Sequence, residues 1–451
     1  MPVEYPAAAL QQAEQTAGAP TRPPGAGPDC RDATDLPFVT IDPAGSVDLD
    51  QAMALQRHGT GYRVCYAIAD VASFIPPEGP LNTETHSRGV TLYSPDLRTP
   101  LHPQVLSEGA GSLLAGQDRP AVLWQIDLDA NGEVVALDVT RARVRSRAKL
   151  SFDQVQRDLD RGTPPDWLIL LREIGELRLA GQVARGAVAV RAPDQEVEAV
   201  DGGFRLVART PAPVESWNAQ ISLLTGMCAA QTMLAGGVGI LRTMPPPAEA
   251  DVQAVRHTAA ALGIAWPSDL SYPDLIRSLD GAVPADAAFF EAATTLLRGA
   301  GYTAFDGAEP KVRTHSAVAA PYAHVTAPLR RLVDRYGTEV VLALHAGRDV
   351  PAWVLAALPG LPKEMTAAGQ RANALDRACV DYLEAILLQR DVGRTYEAVV
   401  VQRRKQSYIV QLANPPVRAE AVGEGLELGR RVAVRLTVAD PATRTVRFTA
   451  V

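Results

Sequence analysis

The chain has 451 residues, 47% hydrophobic and 21% charged, with a formal net charge of -7 at pH 7. That length allows one large domain with a small one, or two to three of ordinary size, and the composition excludes a disordered or fibrous chain. The acidic balance is not what a protein that merely coats nucleic acid would show, but it leaves room for a local basic lining beside metal-holding carboxylates.

In chain order, residues 1–36 read as an N-terminal extension: a short helical stretch, AAALQQAEQTAG, then the Pro/Gly connector TRPPGAGPDC. The opening MPVEYPAAAL lacks the basic-then-apolar plan of a secretory leader, and no run of about 18 uncharged apolar residues follows, so a cytoplasmic chain with no membrane association is expected. From PFVTIDP onward, VDLDQAMAL, YRVCYAIADV and AVLWQIDLDANGEVVALDVTRARV predict strands, with Asn131–Gly132 marking a hairpin. Between about 150 and 395 the apolar spacing turns helical, as in DWLILLREIGELRLAGQVA and NALDRACVDYLEAILLQRDVG. The last stretch returns to short strands, TYEAVVVQ, SYIVQLA, RRVAVRLTVAD and RTVRFTAV, about five in all, which fits a small barrel of the OB type.

The expected fold class is therefore α+β: a large domain over 37–392, β-rich and then helical, followed by a five-stranded barrel over 393–451. Cys30, Cys65, Cys228 and Cys379 lie far apart with no CxxC or Cys/His cluster. They are expected to be reduced and mostly buried, not zinc ligands.

The segment Ile41–Gln51, IDPAGSVDLDQ, carries the chemistry. If VDLDQAMAL is a strand, Asp48 and Asp50 share a face while Val47 and Leu49 point into the core. Asp42, just before the turn Pro43–Ala44–Gly45, can fold back beside them. Three carboxylates on one surface need a cation, and hard oxygen ligands suit Mg2+, with Mn2+ as the other choice. Such a site is suited to phosphodiester hydrolysis. An exposed acidic turn is the plain alternative, whereas a calcium loop lacks the EF-hand spacing and its final Glu.

PFVTIDPAGSVDLDQAMAL resembles the signature of the ribonuclease II/R (RNB) family. The likeness continues, in the family's order, through IADV, RGVTLY, PLHPQVLSEGAGSL and YAHVTAPLRRLVD to the terminal barrel. By position, the resemblance implies metal roles for Asp42 and Asp48, and for Asp50 both a metal role and that of the essential catalytic carboxylate. It implies for Tyr93 the role of stacking on the terminal base and setting the end-product length, and a phosphate grip for Arg330, with Arg331 beside it. The implied activity is a processive 3′→5′ exoribonuclease that threads single-stranded RNA and releases nucleoside 5′-monophosphates. Gln402–Tyr408, QRRKQSY, would add Arg403, Arg404 and Lys405 as a single-strand platform, and the protein is expected to act as a monomer.

The chain departs from the family pattern at several positions. Gln51 stands where a second adjacent aspartate is usual, and Ala219 and Gln220 fall where a glutamate pair is expected. A later glutamate aligns with Asp376, the partner of the stacking tyrosine aligns with Val190, and Leu332 replaces a tyrosine. Only about 36 residues precede the catalytic part, so the usual cold-shock domains are expected to be missing and a shorter single-stranded tail to suffice. Two other functions compete: a catalytically weakened RNA-binding or regulatory protein on the same scaffold, and a metal-dependent nucleotide hydrolase using the same carboxylates.

Overall fold

The computed structural model describes residues 3–20, 30–188, 194–200, 203–209, 211–281, 283–412 and 414–451. Helix α1 (Ala7–Gly18) forms where the Ala/Gln-rich run predicted it. Ala9 and Ala13 are fully buried, so the helix packs against the body of the protein instead of trailing from it. Strand β1 (Arg31–Asp42) then opens six residues before the expected boundary.

β2 (Gln51–His58) and β3 (Gly61–Ala69) follow as a hairpin. Helix α2 (Pro80–Arg88) leads into a two-residue ribbon, β4 (Leu92–Tyr93) and β5 (Arg98–Thr99). β6 (Asp118–Leu128) and β7 (Val134–Ser151) complete a closed barrel in the order β1-β2-β3-β6-β7. The predicted Asn131–Gly132 hairpin joins β6 to β7. Gly132 takes φ +80 there, while the Asp129 carboxylate accepts from the amides of Asn131 and Glu133, both at 2.8 Å.

The barrel strands alternate, and their two faces differ in size. One face presents Ile41, Tyr66 and Trp124 to a helical layer through Ile174, Ile221 and Val340. Each large side chain fully buried there contributes about 1.5–3 kcal/mol. The other face is rich in alanine (Ala52, Ala54, Ala67, Ala121), which lets Leu106, Leu113 and Leu329 of incoming loops approach closely.

The further helices are α3 (Phe152–Asp160), α4 (Asp166–Ala184), α5 (Pro213–Gly236), α6 (Glu249–Ala261), α7 (Tyr272–Ser278), α8 (Pro284–Ala293), α9 (Leu332–His345), α10 (Ala352–Ala357) and α11 (Leu361–Leu388), of which α6, α7 and α8 share a core of their own around Phe289 instead of joining the barrel's. Among the described residues, two strand pairings that the helical spacing did not predict interrupt this run of helices: the hairpin of β8 (Asp194–Val200) with β9 (Gly203–Arg209), and the antiparallel pair β10 (Val238–Thr243) with β11 (Gly301–Asp306), whose strands flank α6–α8. The C-terminal strands β12 (Thr395–Arg403), β13 (Tyr408–Leu412), β14 (Arg418–Val422), β15 (Arg431–Asp440) and β16 (Thr445–Ala450) close into the expected five-stranded barrel. Phe448 and Val410 fill its core together with Leu383 and Leu388 of α11, and Arg418 reaches Glu291 of α8 at 2.7 Å.

All four cysteines are free, but only Cys65 and Cys228 are buried; Cys30 is exposed and Cys379 half-buried. The expectation of mostly buried thiols fails at Cys30 because it precedes β1 and has no sheet face to enter.

Candidate active site

Asp42 ends β1, and a turn closed by Ser46 N–H on Pro43 O (2.9 Å) carries the chain off the barrel. Asp48 and Asp50 were expected inside a strand, but they lie in an extended segment that ends where β2 begins. The alternation survives for a local reason. Leu49 N–H donates to Ser112 Oγ at 2.9 Å and Leu49 O accepts from Leu113 N–H at 3.0 Å, so this loop takes the place of a partner strand. Leu49 is fully buried, whereas Val47 is only half-buried.

The loop 326–331 wraps Asp50. Leu329 N–H donates to Asp50 Oδ1 at 2.7 Å, and Arg330 Nε lies 3.6 Å from Oδ2. Beside it, the Gln51 side-chain amide donates to Thr326 O at 2.5 Å. Asp334 holds the loop in shape, accepting from Ala327 N–H at 2.7 Å and from two nitrogens of Arg331 at 2.9 Å. His102 Nε2 bonds Pro328 O at 2.9 Å; burial lowers this imidazole to about 4, so it is neutral and serves as a donor. The fork of Arg331 therefore shapes the loop, while the Arg330 side chain is 48% exposed.

Burial dominates the carboxylates. Asp50 is 4% exposed, and removal from water pushes its carboxyl up to about 8, with Arg330 and the Leu329 amide acting in the opposite direction. Asp42 is pushed up to about 6 by burial, with Arg330 lowering and Asp48 raising it. Asp48 differs: its carboxylate is ion-paired with Arg98 of β5, whose other arm binds Glu108, and Tyr93 Oη lies 3.3 Å from Asp48 Oδ2.

Asp42, Asp48, Asp50, Tyr93, Arg330 and Arg331 line one cavity of about 1110 Å³. Arg403, Arg404 and Lys405 do not; they sit exposed at the β12–β13 turn, on a separate cavity of about 960 Å³. The all-oxygen donor set suits a hard cation. Among the described residues, however, no three Asp, Glu, His or Cys side chains converge closely enough to hold a metal, and Asp48 faces Arg98. Asp42 and Asp50 are the carboxylates whose charged forms burial makes costly without a counter-cation, and each also feels the charge of Asp48.

Several cavity residues escaped the sequence reading, among them two charged groups that share the cavity with the carboxylate cluster. Arg98 is one. The other is Glu215, one helical turn before Ala219 on the same face of α5, where i, i+4 spacing could have revealed it. Its carboxylate also accepts from Ala212 N–H at 2.8 Å. Gln220 turns away to Gln182 at 2.7 Å, Asp376 is exposed on α11 and does not line the cavity, and Val190 lies outside the described residues.

The RNB domain matches residues 30–344, and the RNase II-type exonuclease C-terminal S1 domain matches residues 394–451. Ribonuclease R of Escherichia coli (strain K12) is 25% identical over 470 residues, covering 92% of this chain and 57% of that protein. The chain thus spans little more than half the length of this curated relative. Inactive exonuclease DIS3L2 of Arabidopsis thaliana is 40% identical over 133 residues, 29% of this chain and 12% of that protein. The structure of Mycoplasma genitalium RNase R in complex with ribose methylated single-stranded RNA matches with a TM-score of 0.85 at 18% identity, covering 98% of this chain and 75% of that one. This last likeness is one of fold.

Proposed function

The chain belongs to the RNB family, and from that premise we propose that it is a divalent-metal-dependent exoribonuclease. It would hydrolyse single-stranded RNA processively from the 3′ end and release nucleoside 5′-monophosphates. The observation that carries this reading is the gathering of Asp42, Asp48, Asp50, Tyr93 and Arg330 around one cavity from segments up to 288 positions apart.

In this reading Asp42 and Asp50 hold Mg2+ or Mn2+, which when bound supplies polarisation of the phosphate and a more acidic water. Asp50, fixed by the Leu329 amide, orients that water. Arg330 offers its planar fork to phosphate oxygens, and Arg331, bound to Asp334, keeps the loop beneath it rigid. The half-exposed ring of Tyr93 gives the terminal base a flat partner worth about 1–3 kcal/mol. The C-terminal barrel recruits the strand: residues 393–451 hold ten Lys/Arg against five Asp/Glu, in a chain whose net charge is -7. Arg403, Arg404 and Lys405 stand exposed there without a mutual acidic partner among the described residues. Among those residues no helix is long and apolar enough to cross a membrane, and the same reading places a monomer in the cytoplasm.

A second reading, an RNA-binding protein that does not cut, draws on Gln51, on the Arg98–Asp48 pair and on the relative named inactive. Wild type and Asp50→Asn separate the two. The enzyme reading expects labelled poly(A) to yield mononucleotides with wild type and either metal, and at least about a hundredfold less with the variant. Wild type that binds this RNA tightly and leaves it intact in both metals establishes the second reading instead.

A further inference from the structure

Tyr93 and Arg98 are directly opposed partners across the β4–β5 ribbon. Opposed residues on one face of an antiparallel pair have Cβ atoms about 4.5–5.5 Å apart, and here both side chains meet the same carboxylate, Asp48. A ribbon with two residues per strand has no independent stability, and Tyr93 itself is 51% exposed. Something else must fix the ring.

The neighbouring contacts identify it. Arg98 bridges Asp48, on the segment leading into β2, to Glu108 on the helical turn Val105–Ala110. The three side chains are only 23%, 10% and 22% exposed, so solvent screens them little. From behind, the N-terminal segment braces the same ribbon. Tyr5 Oη donates to Pro100 O at 2.5 Å, and the Tyr5 ring lies 3.6 Å from the guanidinium of Arg88.

We infer that Arg98 is a positioning residue: by fastening Asp48 to the ribbon that carries Tyr93, it sets the distance between the base platform and the carboxylates, and with it the length of the last RNA fragment. The inference rests on the reading of Tyr93 as that platform. A shift of about 1 Å in such a platform is enough to move a reacting bond out of register.

The test uses full-length protein and an RNA carrying 2-aminopurine at its 3′ end, whose fluorescence falls on stacking. Binding is read in EDTA, and the end-product ladder is read separately with Mg2+. Arg98→Met is expected to weaken the metal-free quench about tenfold in Kd and to spread the final product over several lengths. Arg98→Lys, which still places a cation on Asp48, restores a single length. In an Asp48→Asn background, Arg98→Met adds less than about twofold to the metal-free Kd, because the pair is already broken.

Wild-type quench and a wild-type ladder from Arg98→Met overturn the inference alone, as does a full Arg98→Met effect that persists in Asp48→Asn. If Arg98→Met does not fold, Asp48→Asn breaks the same pair from the other side and must weaken the quench; unchanged quench then overturns the inference. Wild type that fails to quench the terminal base overturns the reading of Tyr93, and this inference with it.

Discussion

Replacing Asp50 by Asn should make the metal-free protein more stable, and increasingly so as the pH rises. The folded carboxyl titrates near 8 because it is buried, whereas in the unfolded chain it titrates at about 3.9. Between those values the folded state keeps a proton that the unfolded state has lost, so stability falls as pH rises, by up to about 1.4 kcal/mol per pH unit. At pH 7 the accumulated loss reaches roughly 4 kcal/mol, from about three pH units of mismatch. Asn is neutral at every pH and keeps an oxygen for the Leu329 amide that now binds Asp50 Oδ1 at 2.7 Å. Urea unfolding of both proteins in EDTA at pH 5, 6, 7 and 8 measures the gap. It should widen from about 1.5 kcal/mol at pH 5 to roughly 4 kcal/mol at pH 7 and about 5 kcal/mol at pH 8, and level off only above that. Added Mg2+ or Mn2+ should narrow it by stabilising only the charged wild-type side chain. A gap that does not change with pH, or a variant no more stable than wild type at pH 8, refutes the argument from burial.

Gln51→Asp removes the amide contact to Thr326 O, at about 1 kcal/mol of stability, and adds a carboxylate. Mn2+ titration calorimetry should show affinity raised on the order of tenfold; an unchanged Kd means position 51 does not face the ion. Arg330→Lys keeps the charge and loses the fork, so steady-state assays should give kcat/KM lower by about 10- to 100-fold. The thermal midpoint should hardly move, since the side chain is 48% exposed; equal kcat/KM would remove Arg330 from phosphate contact. Neutralising Arg403, Arg404 and Lys405 together should flatten the salt dependence of RNA binding by about 0.7 in log-log slope for each phosphate left without its cation. An unchanged slope would show that RNA bypasses that turn.

The sequence made legible whatever repeats at short range. Alternation through VDLD assigned Leu49 to the core, FVTID ended as a strand at Asp42, and Asn131–Gly132 turned the β6–β7 hairpin. It missed what depends on approaches between distant parts of the chain. The Asp48–Asp50 segment reads as strand, yet its partner is the Ser112–Leu113 loop, about 60 residues away, and no sheet forms there. Asp48 looks like a free ligand until Arg98 arrives from the opposite side of a ribbon. Asp50 looks like an exposed acid until the loop at Leu329, 279 positions on, encloses it. The Arg331–Asp334 pair was within reach, because i, i+3 spacing at the start of a helix favours such a pairing.

The central claim is that this cavity cuts RNA from one end, and one gel tests it. A single-stranded RNA, labelled at its 5′ end in one sample and its 3′ end in another, is digested with Mg2+ or Mn2+. The account predicts immediate release of labelled mononucleotide from the 3′-labelled strand. It predicts a short 5′-labelled end product with few intermediates and no cleavage by Asp50→Asn. A 5′ label lost first, internal fragments, or intact RNA under conditions where the protein binds it contradicts the account.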